Sequence, residues 1–329
     1  MVSISVLAGK SFEKDLVKLK LKDCCKKGVM NMDFIPAKTI ISGYAANNSW
    51  FGINYNMNIY KGCCHGCIYC DSRSECYRIE KFDKVRAKEN ALALIECELK
   101  SKRKKGVIGT GAMSDPYNPF EEEQKLTRGA LELINRYRFG VSIATKSDLI
   151  TRDIDILKEI SEHSPVLIKI TITAADDTIC KKIEPNVAVS SERFAAIKRL
   201  TEKGIFAGIL LMPVLPFIED TAENISNIIT LAHKNGARFI YPAFGVTLRQ
   251  NQRRWYYNKL DEMFPSLKQK YIQQYGSTYQ CRSPKAQELW QLFQKECDNR
   301  SILYKMAHII KGYKLRYEQK QLSIFDIEE

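Results

Sequence analysis

No stretch of this chain approaches the roughly 18 apolar residues of a membrane-spanning helix. Residues 1–18 lack the long apolar run and small-residue cleavage site of a secretory leader. Both absences predict a cytoplasmic protein with no membrane partner. Thiols stay reduced there, which disfavours a disulfide framework although the chain has 11 cysteines, an odd number. Repeats and low-complexity tracts are absent as well, so no repeat architecture is in question. What is there is an ordinary globular composition: 329 residues, 45% hydrophobic and 27% charged, enough for one large α/β domain or two smaller ones. The 51 Lys and Arg against 38 Asp and Glu leave a formal charge of +13. Such an excess suits a polyanionic partner, nucleic acid first, and equally a basic solvated surface. The run LKSKRKKG, residues 99–106, reads as the solvated C-terminal turn of a helix, where the dipole favours cations.

From about Asp83 helical and strand patterns alternate. Val85, Leu92, Ile95 and Leu99 share one helical face over residues 83–104, followed by a buried strand at 106–111. Leu126, Ala130, Leu133, Ile134 and Tyr137 form the next stripe, before a strand at 140–145. Ile154, Leu157 and Ile160 continue it, before a strand at 165–173. Helices at 191–203 and 221–234 precede strands at 205–212 and 238–244. With a first strand just before the cysteine-rich segment this makes six βα units, hence a parallel sheet, either doubly wound or a barrel. Residues 1–50 read as an irregular N-terminal extension and 51–245 as the α/β core. Residues 246–320 read as a helical extension and 321–329 as a flexible tail.

Four of the cysteines fall within YKGCCHGCIYC, residues 60–70. Cys63, Cys67 and Cys70 are spaced C-x3-C-x2-C, with Gly66 in the loop and Tyr69 before the last cysteine. Three thiolates on so short a loop can hold three irons of a [4Fe-4S] cube and leave the fourth open. Structural zinc wants four ligands, usually in two well-separated pairs, and no second C-x2-C pair exists apart from this loop. A Cys3His zinc site using His65 is the remaining alternative, with adjacent ligands strained on one short loop. Cys64 is out of register with either set.

This cysteine spacing, with its aromatic, at the start of six βα units resembles the radical SAM superfamily. The resemblance implies an incomplete (β/α)6 TIM-type barrel holding a [4Fe-4S] cluster and S-adenosyl-L-methionine (SAM). It also implies reductive cleavage of SAM to a 5'-deoxyadenosyl radical, with electrons from a flavodoxin- or ferredoxin-type donor. The wider run NIYKGCCHGCIYCDSRSECY is similar to the spore photoproduct lyase-like branch, often labelled DNA repair photolyase. In a parallel barrel, functional side chains sit at the C-terminal ends of the strands. By this resemblance Tyr69, Ser114, Lys146, Thr173 and Met212 contact SAM, and the Glu-Pro of IEPN (183–186) has a counterpart after strand four. Two departures stand out. The branch has a hydrogen-donating Cys where this chain has Ala112, and a Tyr of its radical relay where this chain has Asp71. Cys76 and Cys180 are the substitutes nearest in sequence, and both also read as ordinary helix or core residues.

Past the last barrel strand, Arg249, Arg253 and Arg254 interleave with Trp255, Tyr256 and Tyr257. The pattern suits phosphate contacts and base stacking, and equally an amphipathic helix packed on the barrel. In the tail, Gln321, Leu322, Ser323, Ile324 and Phe325 resemble the peptide with which bacterial repair proteins dock on the sliding clamp. The preferred reading is a radical SAM enzyme abstracting hydrogen from DNA. A radical SAM enzyme acting on a protein, peptide or small molecule, and a non-catalytic metal-containing nucleic-acid-binding protein, are the alternatives.

Overall fold

A computed structural model describes residues 32–44 and 50–318. Two compact units comprise residues 1–33 and 34–329, and the barrel lies wholly in the second. The expected clamp-docking residues Gln321, Leu322, Ile324 and Phe325, and most of the expected N-terminal extension, lie outside the described residues.

Six strands follow one another across a single sheet, each parallel to the next. They are β1 (Tyr55–Met57), β2 (Val107–Thr110), β3 (Gly140–Thr145), β4 (Val166–Thr171), β5 (Phe206–Leu211) and β6 (Ile240–Pro242). Every residue of β2 and β4 is buried, as are five of six in β3 and in β5. Such continuous apolar runs belong to strands covered on both faces. The cover comes from α1 (Ala91–Ser101), α2 (Leu126–Arg136), α3 (Ile154–His163), α4 (Ser190–Glu202) and α5 (Ala222–Lys234). Each buries one stripe, for example Ala130, Leu131 and Ile134 of α2 and Ile225, Ile228 and Ile229 of α5. Ile41–Gly43 runs antiparallel to β1 at one edge and β6 forms the other, so the sheet is a partial barrel, open on that side.

Three stretches differ from the sequence-based expectation. Residues 83–104 are not one helix: Arg86–Lys88 is a strand, with Tyr60 opposite Ala87, and α1 begins only at Ala91. Backbone pairing beside the cysteine loop overrides the helical spacing of Val85 there. Within the stretch expected to be irregular, Ile41–Gly43 is ordered because Glu98 of α1 accepts from Ile40 N (3.0 Å) and Ile41 N (2.7 Å). After β6 the strand Gly245–Thr247 pairs with Gln280–Arg282 before and after the first two helices of the extension, and no unit boundary falls at 245. The helices of the extension are α6 (Gln250–Met263), α7 (Leu267–Tyr275), α8 (Ala286–Asn299) and α9 (Met306–Glu318), and α6 and α7 are the two between these strands.

Helix α9 closes the barrel end at which the strands begin. Ile309 and Tyr313 pack with Phe51, Val107, Leu167 and Phe239, and the Tyr313 hydroxyl donates to Phe51 O (2.6 Å). The opposite end is left for chemistry. There Gly111 follows β2 at φ +94°, and a Cβ would lie 1.9 Å from Ala144 O, so only glycine lets the chain leave β2 against the backbone of β3.

One lysine faces the barrel interior. Lys169 of β4 is buried, donates to Ser142 Oγ (2.7 Å) and lies 4.7 Å over the Phe51 ring. Among the described residues no carboxylate pairs with it, and burial pushes its pKa down to about 7. The unfolded chain therefore binds more protons than the folded one from pH 7 to the ordinary lysine range, and stability rises with pH across that window. We expect Lys169→Met to stabilise the fold by about 1–3 kcal/mol near pH 6. Urea melts at several pH values should show that gain shrinking as pH rises through 7 toward 10.

Candidate active site at the strand ends

The cysteine loop leaves the barrel after Tyr60–Lys61. Cys63 N donates to Phe82 O (2.8 Å). Gly62, at φ +83°, sits where a Cβ would come within 2.4 Å of Lys84 O and 2.7 Å of Phe82 O, so the loop can turn here only on glycine. The far side of the loop rests on residues 183–186. Ile68 N donates to Ile183 O (3.0 Å), Asn186 N to His65 O (3.2 Å) and Asn186 Nδ2 to Cys64 O (2.9 Å).

Cys67 is buried, while Cys63 and Cys70 are partly exposed. Burial raises all three thiols, Cys63 to about 11; the ammonium of Lys146 lowers Cys67 and Cys70. The charges of Cys70 and Cys63 add to the rise at Cys67. Among the described residues no group of three or more His, Cys, Asp or Glu converges on a single ion. An iron-sulfur cube takes each thiolate at a different iron. His65 is buried, which lowers its pKa, and its Nδ1 lies 3.6 Å from Asp115 Oδ2.

The strand ends converge on this loop. Ser114, after β2, is buried and donates to Gly62 O. The next residue, Asp115, passed unremarked in the sequence, accepts from Thr145 Oγ1 (2.7 Å), Lys146 N (2.8 Å) and Tyr117 N (2.9 Å). It therefore locks the end of β3. Lys146 Nζ lies 5.7 Å over the Tyr69 ring. Burial alone would lower its pKa, but Cys67, Glu184 and Asp115 outweigh that and raise it, so it stays charged. Thr173 follows β4 and is buried beside the Glu219 carboxyl. Glu219, also buried, accepts at Oε2 from Leu215 N (2.9 Å). Burial pushes the Glu219 carboxyl up to about 8. Met212 ends β5 at a cis bond to Pro213 and packs toward Leu210 and Phe239. Three thiols, a fixed ammonium and the buried Thr173 and Glu219 side chains at one barrel end fit a bound cluster together with a polar cofactor.

The largest feature the sequence reading missed lies under the loop. The Tyr69 hydroxyl donates to Glu184, and Arg193 Nη1 meets Glu184 Oε2 at 2.5 Å, all three side chains being buried. Arg193 also donates to Thr171 O (2.8 Å) and Ala188 O (2.7 Å). Cys180 belongs to this network, 3.6 Å from Arg193 Nη2, while Cys76 sits exposed on the turn Glu75–Tyr77. Ala112, at the hydrogen-donor position of the resembling branch, is exposed.

The arginine and aromatic set divides. Tyr256 is wholly buried with its hydroxyl on Tyr271 (2.8 Å), which removes it from any base-stacking set. Trp255 packs 3.9 Å from the Arg73 guanidinium, and Arg253 donates to Gly276 O (2.9 Å), Thr278 O and Leu248 O, a structural role. Amphipathic packing of α6 accounts for these three. Arg254 is exposed. Arg249 reaches Asp71 (Nε to Oδ1 3.1 Å), next to Cys70, and stacks 4.8 Å from the Tyr279 ring.

The described residues include no helix long and apolar enough to cross a membrane. An uncharacterised protein of Methanocaldococcus jannaschii is 37% identical over 172 residues, 51% of this chain and 63% of that one. An uncharacterised protein of Mycobacterium tuberculosis is 26% identical over 228 residues, 67% of each. Among solved structures, spore photoproduct lyase complexed with dinucleoside spore photoproduct superposes with a TM-score of 0.59 at 12% identity, covering 87% of this chain and 91% of that one. A variant of that lyase with bound AdoMet superposes at 0.58, with 13% identity and the same coverage. The sequence model of the radical SAM superfamily matches residues 57–232, more than half of the chain and the stretch that carries the cysteine loop and the four strands β2 to β5. The chain therefore belongs to the radical SAM superfamily, whose enzymes work with a [4Fe-4S] cluster and SAM.

Proposed function

We propose that the protein is a radical SAM enzyme that removes a hydrogen atom from DNA held across the strand-end face of the barrel. Cys63, Cys67 and Cys70 would hold the cluster, which when bound supplies the electron that cleaves SAM to methionine and a 5'-deoxyadenosyl radical. The protein's own part is binding and orientation. Lys146 offers a fixed ammonium to a carboxylate, Thr173 and Ser114 offer hydroxyl oxygens, and Tyr69 floors the space between them. A dry, walled site keeps a reactive radical from water.

The observation that carries the DNA reading is the groove on the C-terminal extension. It measures 530 Å3 and is lined by Arg249, Gln250, Arg253 and Tyr279, and Arg249 links it to Asp71 beside the last cluster cysteine. A guanidinium with an accessible tyrosine ring suits a phosphate and a base, and the net charge of +13 acts in the same direction. The fold shared with spore photoproduct lyase, an enzyme solved with a dinucleoside photoproduct, adds support. Ala112 and Asp71 depart from that lyase's donor and relay positions, so the final hydrogen return would follow another route. The test is anaerobic: release of 5'-deoxyadenosine from reduced enzyme with irradiated DNA, intact DNA or peptide. DNA should stimulate release and bind with steep salt dependence, and Arg249→Ala should weaken binding about tenfold. Absence of DNA affinity at low salt would move the substrate to another class.

A further inference from the structure

Tyr69 stands immediately before a cluster cysteine, and separate parts of the chain grip it. Its hydroxyl is held by Glu184, which follows the short helix after β4 and is itself held by Arg193 of α4. Its carbonyl is held by Gln252 of α6, whose Nε2 donates to Tyr69 O at 2.8 Å. Gln252 is wholly buried and fully committed, with Nε2 also donating to Thr247 O (2.8 Å) and Oε1 accepting from Arg249 N (2.8 Å). A buried glutamine with every such bond made has one orientation available, so it transmits position from the extension to the loop. Two residues on, Arg249 repeats the connection at Asp71 (3.1 Å). The cysteine loop is thus a layer between the barrel and the C-terminal extension, anchored at Tyr69 from both.

We infer that Glu184 and Gln252 are positioning residues that act through Tyr69, and that the C-terminal extension is a structural part of the cofactor site through Gln252. Fixing the hydroxyl and the carbonyl of one residue removes rotation about its side chain and tilt of its peptide together. That sets both the ring beneath Lys146 and the direction in which the chain enters Cys70. Outer partners of this kind orient the groups that touch a metal centre or its ligand, and their loss commonly costs on the order of tenfold or more in affinity. The inference rests on the cluster chemistry of the superfamily and not on the DNA reading. It also places Arg249 and the groove on the same helix as Gln252, so an occupant of the groove would bear on the loop through one turn of α6.

The experiment compares Tyr69→Phe, which keeps the ring and the Glu184–Arg193 pair, with Gln252→Met, which keeps the length without a charge but removes the donor to Tyr69. Tyr256→Phe serves as control, since it loses a buried hydroxyl contact on the same helix without touching the loop. Apo-protein melting, iron per chain after anaerobic reconstitution, SAM affinity and the change that SAM causes in the electron paramagnetic resonance spectrum of the reduced protein are read for each. We expect both loop variants to keep iron and a near-native melting point while binding SAM about tenfold more weakly with an altered spectral change. The control should match the parent. SAM affinity and spectrum unchanged in either variant would overturn the inference for that residue. So would a melting point lost together with the iron, which would assign that residue to folding alone.

Discussion

Replacing Cys63, Cys67 or Cys70 singly with alanine should empty the cluster site. Iron after anaerobic reconstitution should fall from about four per chain to near zero, with loss of the brown colour. Each of these thiols takes a different iron, so no one of them can cover for another. Cys64→Ala should keep both iron and colour, because Cys64 is out of register with the C-x3-C-x2-C set. All four variants should melt close to the parent as apo-proteins, since the loop is held by backbone bonds at Cys63, His65 and Ile68. An essential Cys64 beside a dispensable Cys63 would falsify the ligand register.

Arg193→Met should be the most destabilising single change outside the cysteines. Arg193 is wholly buried, and removing it leaves the Glu184 carboxylate without its cation and two backbone oxygens, Thr171 O and Ala188 O, without their donor. Breaking one side of a buried pair typically costs about 3–5 kcal/mol. In the parent, burial raises the Glu184 carboxyl, but Arg193, Lys146 and the Tyr69 hydroxyl outweigh that and hold it below the usual range. Its stabilising contribution is therefore present above the unfolded carboxylate pKa and is lost as pH falls through the folded one. In the variant the balance reverses: an uncompensated buried carboxylate holds its proton, and acid relieves the penalty. The difference in stability between the two proteins should accordingly be largest near pH 8 and smaller near pH 5. Denaturant melts of the apo-proteins at both pH values decide this, and a difference independent of pH would point to packing loss alone. The double variant Arg193→Met with Glu184→Met should recover part of the loss, since neither member of the pair is then left buried without the other.

Spacing alone determined the main features of this protein. Alternating apolar patterns from Val107 to Pro242 place five parallel strands because strands buried on both faces need continuous apolar runs, and helices covering them need stripes. C-x3-C-x2-C marks the proposed cluster loop because its candidate ligands are local, within eight residues, and local geometry is what sequence spacing encodes. Strand-end residues such as Lys146 and Thr173 were legible for a related reason: in a parallel barrel the end of every strand points to the same face. The strand Arg86–Lys88 was not, because its extended form depends on pairing with Tyr60–Lys61 across a loop. Nor was the fate of the arginine and aromatic run, since an amphipathic helix offers the same pattern to water, to nucleic acid or to a core. Packing with Tyr271 and Arg73 decided it residue by residue, burying Tyr256 and leaving Arg249 at the rim. The support of the loop was least legible of all. Glu184 stood out only through the resemblance of IEPN, and Arg193 and Gln252 lie 124 and 183 positions from Tyr69 in a chain with many other arginines and glutamines. A buried charge or amide is recognised only by the partners that satisfy it, and those partners meet only when the barrel and its C-terminal extension close on the same loop.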